Sequence, residues 1–456
     1  WLYASGALRG GPLRGLPPGR PPSPYYKWTI TTLKKVSGNR GRITLRPRAL
    51  IKFKKNAIMY CCRSEKHVGH MQRSIEVARK LSDSFDVTIL VDDEGPMFAE
   101  IPESVRMQYL PALPVDPNSN VFEFGRSEQF KASIIERRNL ILESFEDLKP
   151  RLIIIDNFPF NNHRLRGEVL PLIERAHNGI YGDCLVVCTT DSIMIDDSAN
   201  SENHADKAAE LLDKYFDMVI VQSDPVFARI EEFFHPRDAL QTHLYHAGFV
   251  TPERGAEALD RTAGGGEILV SAGDGRYGGV LFRAAVEAQR VLWPVSERPM
   301  KIVAGPRLPE DEWRDLRVAT KGMDGLVLTR IVDDMRAEMA LSRCSVSQCC
   351  YNTELNAITT QTPSLFIPSQ NSQRSEQVAR AQRIIYWGGG RLLMPHHLNS
   401  ASLTYEINQL LQFQPRRIRF DTDGAANAVN LIEQAMHLGD ISSIPNYLST
   451  DGRRPH

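Results

Sequence analysis

Strand-length runs with no polar face recur along the chain, and each is followed by a segment with helical spacing. "NAIMYCC" (56–62) leads into "HMQRSIEVARKL", where Met71, Ile75, Ala78 and Leu81 fall at helical intervals. "DVTILVDD" (86–93) comes next, and a Pro-rich loop separates it from a long amphipathic segment over 127–149. "RLIIIDN" (151–157), "CLVVCTTD" (184–191) and "DMVIVQSD" (217–224) repeat the pattern. A strand that is apolar on both sides cannot border water, so these runs require a sheet covered on both faces. Alternation with helices makes that sheet parallel, and the fold class is α/β.

The rhythm stops at "TPERGAEALDRTAGGG" (251–266), a polar, glycine-rich stretch that reads as a linker. It restarts with "EILVSAG" (267–273), a helix over 279–292, "MKIVAG" (300–305), "GLVLTRI" (325–331), "CSVSQC" (344–349), "SLFIPS" (364–369) and a helix from about 374. Two parallel-sheet domains in tandem are therefore expected, over 56–250 and 267–440. A chain of 456 residues, 42% of them apolar, can bury two such cores. Residues 1–55 and 441–456 are read as tails.

Charge divides unevenly between tail and body. Residues 1–64 hold 14 of the 55 Lys and Arg and no acid, leaving 41 basic against 55 acidic residues beyond them. A basic tail over an acidic body offers little phosphate-binding surface on the fold itself, which argues against nucleic acid as partner. Rich in Pro, Gly and Arg, residues 1–55 are expected to be disordered, and their charge suits peripheral contact with anionic lipid. No run approaches the roughly 18–20 apolar residues that span a bilayer. Seven cysteines (61, 62, 184, 188, 344, 349 and 350), with no CxxC, point to free thiols in a reducing, cytoplasmic setting.

In parallel sheets ligands sit outside the carboxyl ends of the strands, so the informative residues are those just after each run. "SAGDGRYGGVLFRAA" (271–285) empties a strand into Gly273, Asp274 and Gly275 before a helix, which suits either a phosphate held by backbone N–H groups or a plain tight turn. Lacking both GxGxxG and a P-loop Lys, it does not read as a nucleotide-hydrolysing loop. His70, at the mouth of the first helix, is either a general base or a helix-start surface residue. Glu376 and Gln377 fall in the first turn after "SLFIPS", where their carboxylate and amide suit sugar hydroxyls or favour the helix electrostatically. "DTD" (421–423) has the form of a metal-binding DxD but precedes a helix and reads as capping.

Vicinal Cys349 and Cys350 are poorly placed to share one tetrahedral zinc, and no base stands near to activate a nucleophile. They are read as lining a strand-to-helix turn, capped by Asn352 or Thr353, with its N–H groups turned to a diphosphate.

Several segments together resemble GT-B glycosyltransferases, specifically the MurG-like group of family 28 and related predicted bacterial glycosyltransferases. "LTRIVDDMRAEMALSRCSVSQCCYNTELNAITTQTPSLFIPSQNSQRSEQ" (328–377) is similar to the donor half of a MurG-type C-terminal domain. "GHMQR" (69–73), "DNFPFNNHRLRGEVLPLIE" (156–174), "FDMVIVQSDP" (216–225) and "HAGFV" (246–250) resemble the predicted group. The likeness runs in order from residue 56 to about 395.

The resemblance implies two Rossmann-like domains, a nucleotide sugar held by the C-terminal one and an acceptor held mainly by the N-terminal one. It places uracil near Ile331 and Val332, with Met335 at the following helix start. It turns 273–275 and 349–353, including Cys350, Asn352 and Thr353, toward the diphosphate, and gives Glu376 and Gln377 to the sugar. His70 corresponds to a cleft histidine that takes the acceptor's proton, with Asp156 as an alternative base or its orienting partner. The chain departs from the family pattern at Cys349 and Cys350, where glycines are usual, and at Asn356, where a glutamate typically holds the donor ribose. The first loop has "RSEKHV" in place of consecutive glycines.

The expected activity is inverting transfer of a hexose or N-acetylhexosamine from a UDP-type donor to an acceptor hydroxyl, small or lipid-linked, with no cofactor and no obligatory metal. Two alternatives stand beside it: a non-catalytic nucleotide-sugar-binding partner subunit, and a nucleotide-sugar epimerase of the same architecture.

Overall fold

A computed structural model describes residues 55–60, 69–92, 100–113, 127–160, 165–193, 202–252, 266–369, 376–417, 419–438, 441 and 444. The expected tail over 1–55, apart from Lys55, and most of the linker lie outside them, as do Cys61 and Cys62 and the side chain of His70.

The N-terminal domain runs β1 (Lys55–Tyr60), α1 (Gly69–Leu81), β2 (Phe85–Asp92), β3 (Val105–Leu110), α2 (Glu128–Leu148), β4 (Leu152–Asp156), α3 (Arg166–His177), β5 (Leu185–Thr190), α4 (Glu202–Tyr215), β6 (Met218–Val221) and β7 (His243–His246). Its strands lie in the order β3-β2-β1-β4-β5-β6-β7, all parallel. The C-terminal domain runs β8 (Ile268–Ser271), α5 (Gly279–Ser296), β9 (Met300–Val303), α6 (Glu310–Thr320), β10 (Leu326–Thr329), α7 (Met335–Leu341), β11 (Cys344–Ser347), α8 (Tyr351–Thr360), β12 (Ser364–Phe366), α9 (Glu376–Tyr386), β13 (Gly390–Leu392) and α10 (Ser400–Gln412). Its order is β10-β9-β8-β11-β12-β13, again wholly parallel.

The apolar runs predicted from sequence are the inner strands and one edge strand, β10. Every residue of β4 is buried, with Ile153 and Ile155 on one face and Leu152 and Ile154 on the other. The strands that the pattern did not flag, β3, β7 and β13, are all sheet edges. Edge strands need cover on fewer sides, so β3 ("VRMQYL") buries only Val105 and Leu110, exposes Arg106 and Tyr109, and carries no continuous apolar run.

On one face of the N-terminal sheet α2 and α3 pack with α4, joined by a buried pair in which Arg137 donates to both carboxylate oxygens of Glu168 at 2.6 and 2.9 Å. The opposite face holds α1 together with α11 (Gly424–Leu438), the last helix described. This corrects the sequence-based boundary, which kept residues up to 440 with the C-terminal domain. Ala428, Val429, Leu431, Ile432 and Ala435 belong to the same core as Ile75, Ala78 and Leu81 of α1. The chain thus crosses back after α10, and the physical reason is the apolar stripe of α11, which fills the face that α1 covers only in part.

Truncating α11 therefore injures the N-terminal domain. Ile432→Ala is expected to lower stability by about 2–4 kcal/mol, with amide-exchange protection lost in α1 and β1 rather than in β8 to β13; loss confined to the second sheet would contradict the packing.

Candidate active site where the two sheets meet

Each sheet reverses its strand order once. The N-terminal switch lies between β1 and β4, and the C-terminal one between β8 and β11. Chain leaving a sheet in opposite directions at such a point opens a crevice at the carboxyl ends. The sequence-predicted groups sort onto these two points: His70 begins α1 after β1, Asp156 ends β4, the Gly273–Gly275 turn follows β8, and Cys349 to Thr353 follow β11.

In the C-terminal domain the two turns touch, since a Cβ on Gly273 would stand 3.7 Å from Cys350 Sγ. Gly275 has φ +92°, and a Cβ there would lie 2.1 Å from the carbonyl oxygen of Ala304, so no larger residue fits where the β8 turn crosses the β9 turn. Much of the turn is bonded to itself. Gly275 N–H donates to Ala272 O, Gly278 N–H to Gly275 O, and Arg276 N–H to Asp274 Oδ1. Asp274, expected at the diphosphate, thus serves as a turn-closing acceptor, with Arg307 at 3.7 Å.

Helix α8 starts at Tyr351, two or three residues earlier than a cap at Asn352 or Thr353 implied. Its cap position is Cys350, whose thiol makes no capping bond and instead lies 3.2 Å from Thr353 Oγ1. Asn352 and Thr353 are therefore first-turn residues and not caps, which corrects the expectation. The side chain at the cap does not answer the first N–H groups of the helix, and these carry the positive end of its dipole. Cys349 is wholly buried among Leu269, Leu355 and Phe366, and burial pushes its thiol well above the ordinary value. It packs as a small apolar residue where the resemblance led to an expectation of glycine.

Around the same edge, Ile331 follows β10 and is 51% exposed, with its carbonyl accepting from Thr329 Oγ1 at 3.1 Å. Val332 and Met335 are half-buried against the apolar cluster beneath α8. Asp334 caps α7 through the N–H groups of Arg336 and Ala337. Asn356, one turn below Asn352 on α8, is half-buried. Gln377 is partly spent on the fold, since its Oε1 accepts from Ser369 N–H at 3.0 Å.

On the N-terminal side Asp156 is 2% exposed. It accepts from Thr189 Oγ1 at 3.2 Å and from Asn157 Nδ2 at 3.1 Å. Burial pushes its carboxyl up to about 6, against the pull of the Arg73 guanidinium. A carboxyl enclosed this way suits orienting a neighbour better than meeting an acceptor in solvent.

Sequence reasoning missed what joins these two halves. Tyr351, first residue of α8, is buried against the other domain, donating from Oη to Gln222 O at 3.2 Å and accepting from Val250 N–H at 3.4 Å. Two guanidiniums approach its ring, Arg73 at 4.1 Å and Arg380 at 5.3 Å from the centroid. Asn352 Nδ2, expected at the diphosphate, donates to Gln72 of α1 at 3.1 Å. Arg380 of α9 reaches Asp191 at the end of β5 at 2.5 Å, Glu376 of its own helix at 2.6 Å, and Glu354 of α8. Arg73 of α1 completes the network on Asp191 at 3.1 Å.

Asp191 lies between both guanidiniums, and these hold its carboxyl below the ordinary range despite the cost of burial. Among the described residues Glu354 pairs with Arg380 alone and faces the charge of Asp191, so burial prevails and its carboxyl rises to about 7. Two signals for this cluster were legible: Asp191 closes "CLVVCTTD" at a strand end, and Arg380 lies one helical turn after Glu376. Their pairing across the domains was not.

The "DTD" segment supports the fold. Asp421 Oδ1 accepts from Asp423 N–H and Oδ2 from Asn427 Nδ2 at the entry to α11, and Asp421 N–H donates to Asp224. Among the described residues no group of three or more His, Cys, Asp or Glu is placed to hold a metal ion, and no helix is long and apolar enough to cross a membrane.

No protein-family model matches the chain, and no curated protein does. Among solved structures, the kitacinnamycin glycosyltransferase aligns at 13% identity and a TM-score of 0.57, over 84% of this chain and 99% of its own. MurG from Acinetobacter baumannii aligns at 13% identity and 0.51, over 83% and 99%. A Listeria monocytogenes protein assigned as a UDP-N-acetylglucosamine 2-epimerase aligns at 11% identity and 0.53, over 85% and 98%. At such identities the likeness is one of architecture: the chain has the GT-B fold, two Rossmann-like parallel-sheet domains meeting at their carboxyl edges.

The raised carboxyl of Glu354 has a signed consequence for stability. The folded state keeps this proton up to about pH 7 whereas the unfolded chain releases it near 4.5, so the contribution falls as pH rises between those values. Glu354→Gln is expected to match the parent near pH 5 and to exceed its urea stability at pH 7.5; a variant that loses stability as pH rises would show that the ionised pair with Arg380 is the favourable form.

Proposed function

We propose that this chain transfers a sugar from a UDP-type nucleotide sugar to an acceptor hydroxyl, with inversion. The observation that carries the reading is the coincidence of the two switch points across one seam, with the β8 and β11 turns on one side and the start of α1 with Asp156 on the other. The fold it shares with glycosyltransferases adds support.

In this reading uracil rests on the exposed edge at Ile331 and Val332, near Met335. The uncapped start of α8 and the β8 turn face the diphosphate, and Glu376 with Gln377 meets sugar hydroxyls. His70 takes the proton of the acceptor hydroxyl as its oxygen bonds to the anomeric carbon, and the bond from that carbon to the diphosphate breaks with its electron pair leaving on UDP. Helix-start N–H groups offset the charge that develops on the leaving oxygen, so no obligatory metal ion is required. Asp156 orients the base side of the reaction.

A specific observation favours keeping a second reading. Asn352 and Asp274 are bonded to protein partners, as a nucleotide-sugar-binding subunit without turnover would tolerate. Epimerisation is the third, since a protein assigned as an epimerase shares the fold.

A screen of uridine nucleotides and UDP-sugars by thermal unfolding tests donor binding, because a ligand at a hundred times its Kd stabilises by about 2.7 kcal/mol; no shift with any of them removes the proposal. With a responsive donor and acceptor identified, His70→Ala is expected to lower transfer by about 10²–10⁴ while leaving donor binding intact. Binding without turnover would favour the subunit reading, and conversion of UDP-N-acetylglucosamine with no acceptor present would favour the epimerase.

A further inference from the structure

Arg380 is 1% exposed in its side chain, and its donors are divided among three carboxylates. Nε and Nη2 both donate to Oε1 of Glu376, at 2.9 and 2.6 Å. Nη1 donates to Glu354, and Nη2 also reaches Oδ2 of Asp191 at 2.5 Å. Glu376, by contrast, is 29% exposed in its side chain and stands at the carboxyl end of β12, beside the turns of the C-terminal switch point. Two N–H groups grip one of its oxygens and leave the other on the open side.

Asp191 is fixed from its own domain. Arg73 donates to its Oδ2 at 3.1 Å, and the N–H of Ile193 donates to its Oδ1 at 3.2 Å. It therefore presents a preset carboxylate to Arg380 only when the domains are docked. With Asp191 withdrawn, the guanidinium faces Glu354, Glu376 and entering water, and its two-point hold on Glu376 competes with solvation. A planar fork can hold the three carboxylates together, whereas a lysine ammonium offers a single point charge.

We infer that Arg380 is a positioning residue for the donor sugar: it sets the carboxylate of Glu376, and it does so only while Asp191 of the acceptor-side domain is docked against it. The inference rests on the reading of Glu376 as a sugar-binding group. Of the groups read as donor contacts, Glu376 is the one that Arg380 grips directly, so the sugar is the part of the donor whose recognition depends most on this network. A nucleotide without its sugar lacks that contact and is expected to be affected less.

The test is calorimetric titration of the full chain with UDP, UDP-glucose and UDP-N-acetylglucosamine, comparing the parent with Arg380→Lys and Asp191→Asn. In the parent at least one UDP-sugar binds more tightly than UDP. In both variants that preference is expected to fall by about 10- to 100-fold, the scale of a lost hydrogen bond to a charged group, while UDP affinity stays within about twofold. Glu376→Gln supplies the reference loss, and adding it to Asp191→Asn is expected to cost nothing further. Thermal unfolding checks the fold of each variant; should Arg380→Lys not fold, Asp191→Asn, which keeps shape and removes charge, carries the comparison. A folded variant with the parent's sugar preference overturns the positioning role and leaves the donor reading standing. A parent that binds UDP and UDP-sugars equally removes the role of Glu376 and this inference with it, and a parent that binds none of the three removes the proposed function itself.

Discussion

The guanidinium of Arg380 is the point on which the seam between the domains depends. Buried ions cost several kcal/mol each to desolvate, and that cost is offset only where geometry supplies compensating charge and hydrogen bonds. Here two arginines, 73 and 380, meet Asp191, Glu354 and Glu376, and both guanidiniums approach the ring of Tyr351. Four of these residues come from the start of α8 or from α9, and two from the N-terminal domain. Neither half is electrostatically complete alone, so the network favours one relative placement of the sheets over others.

Apolar packing follows the same seam. Ile193, Phe227 and Phe249 of the N-terminal domain share a buried cluster with Tyr351, Leu355, Ile358 and Ile384 of the C-terminal one. Phe227, Phe249 and Phe420 meet edge to face with ring centroids 5.2 to 6.1 Å apart, and Trp387 extends the stack. Cys349 belongs to this cluster. Its side chain fills apolar volume under α8, and the cap side chain beside it does not occupy the N–H groups of the helix start. The vicinal cysteines differ in role because one is buried and its neighbour sits at the cap.

Much of the architecture was legible, and the parts that were not share a cause. Inner strands such as "RLIIIDN" and "EILVSAG" declare themselves because burial on two faces removes every polar position. Edge strands such as "HLYH" are under no such demand, and β3, β7 and β13 escaped for that reason, whereas the edge strand β10 was seen through its own apolar run. Strand-end logic pointed to His70, the Gly273 turn and the Cys349 turn, and the resemblance added Asp156; all of them stand at the two switch points, because position at a strand end is a property of topology. That logic pointed to Glu376 as well, but not to its partner four residues on, since an arginine in an amphipathic helix looks the same whether it meets water or a carboxylate. The helix "GAANAVNLIEQAM" was seen as a helix and placed in the wrong domain: its stripe shows that it needs a core and not which one.

By itself the sequence determined local matters: two βα series, their break near 251–266, the glycines that let the β8 and β9 turns cross, and the groups set at strand ends. These follow from periodicity and steric limits that act within a few residues. Only the tertiary structure decided which sheet α11 covers, that Asn352 answers Gln72, and that Arg380 joins Asp191 across the seam. Such pairings depend on which surfaces are desolvated together, and burial is a property of the assembled fold rather than of any segment.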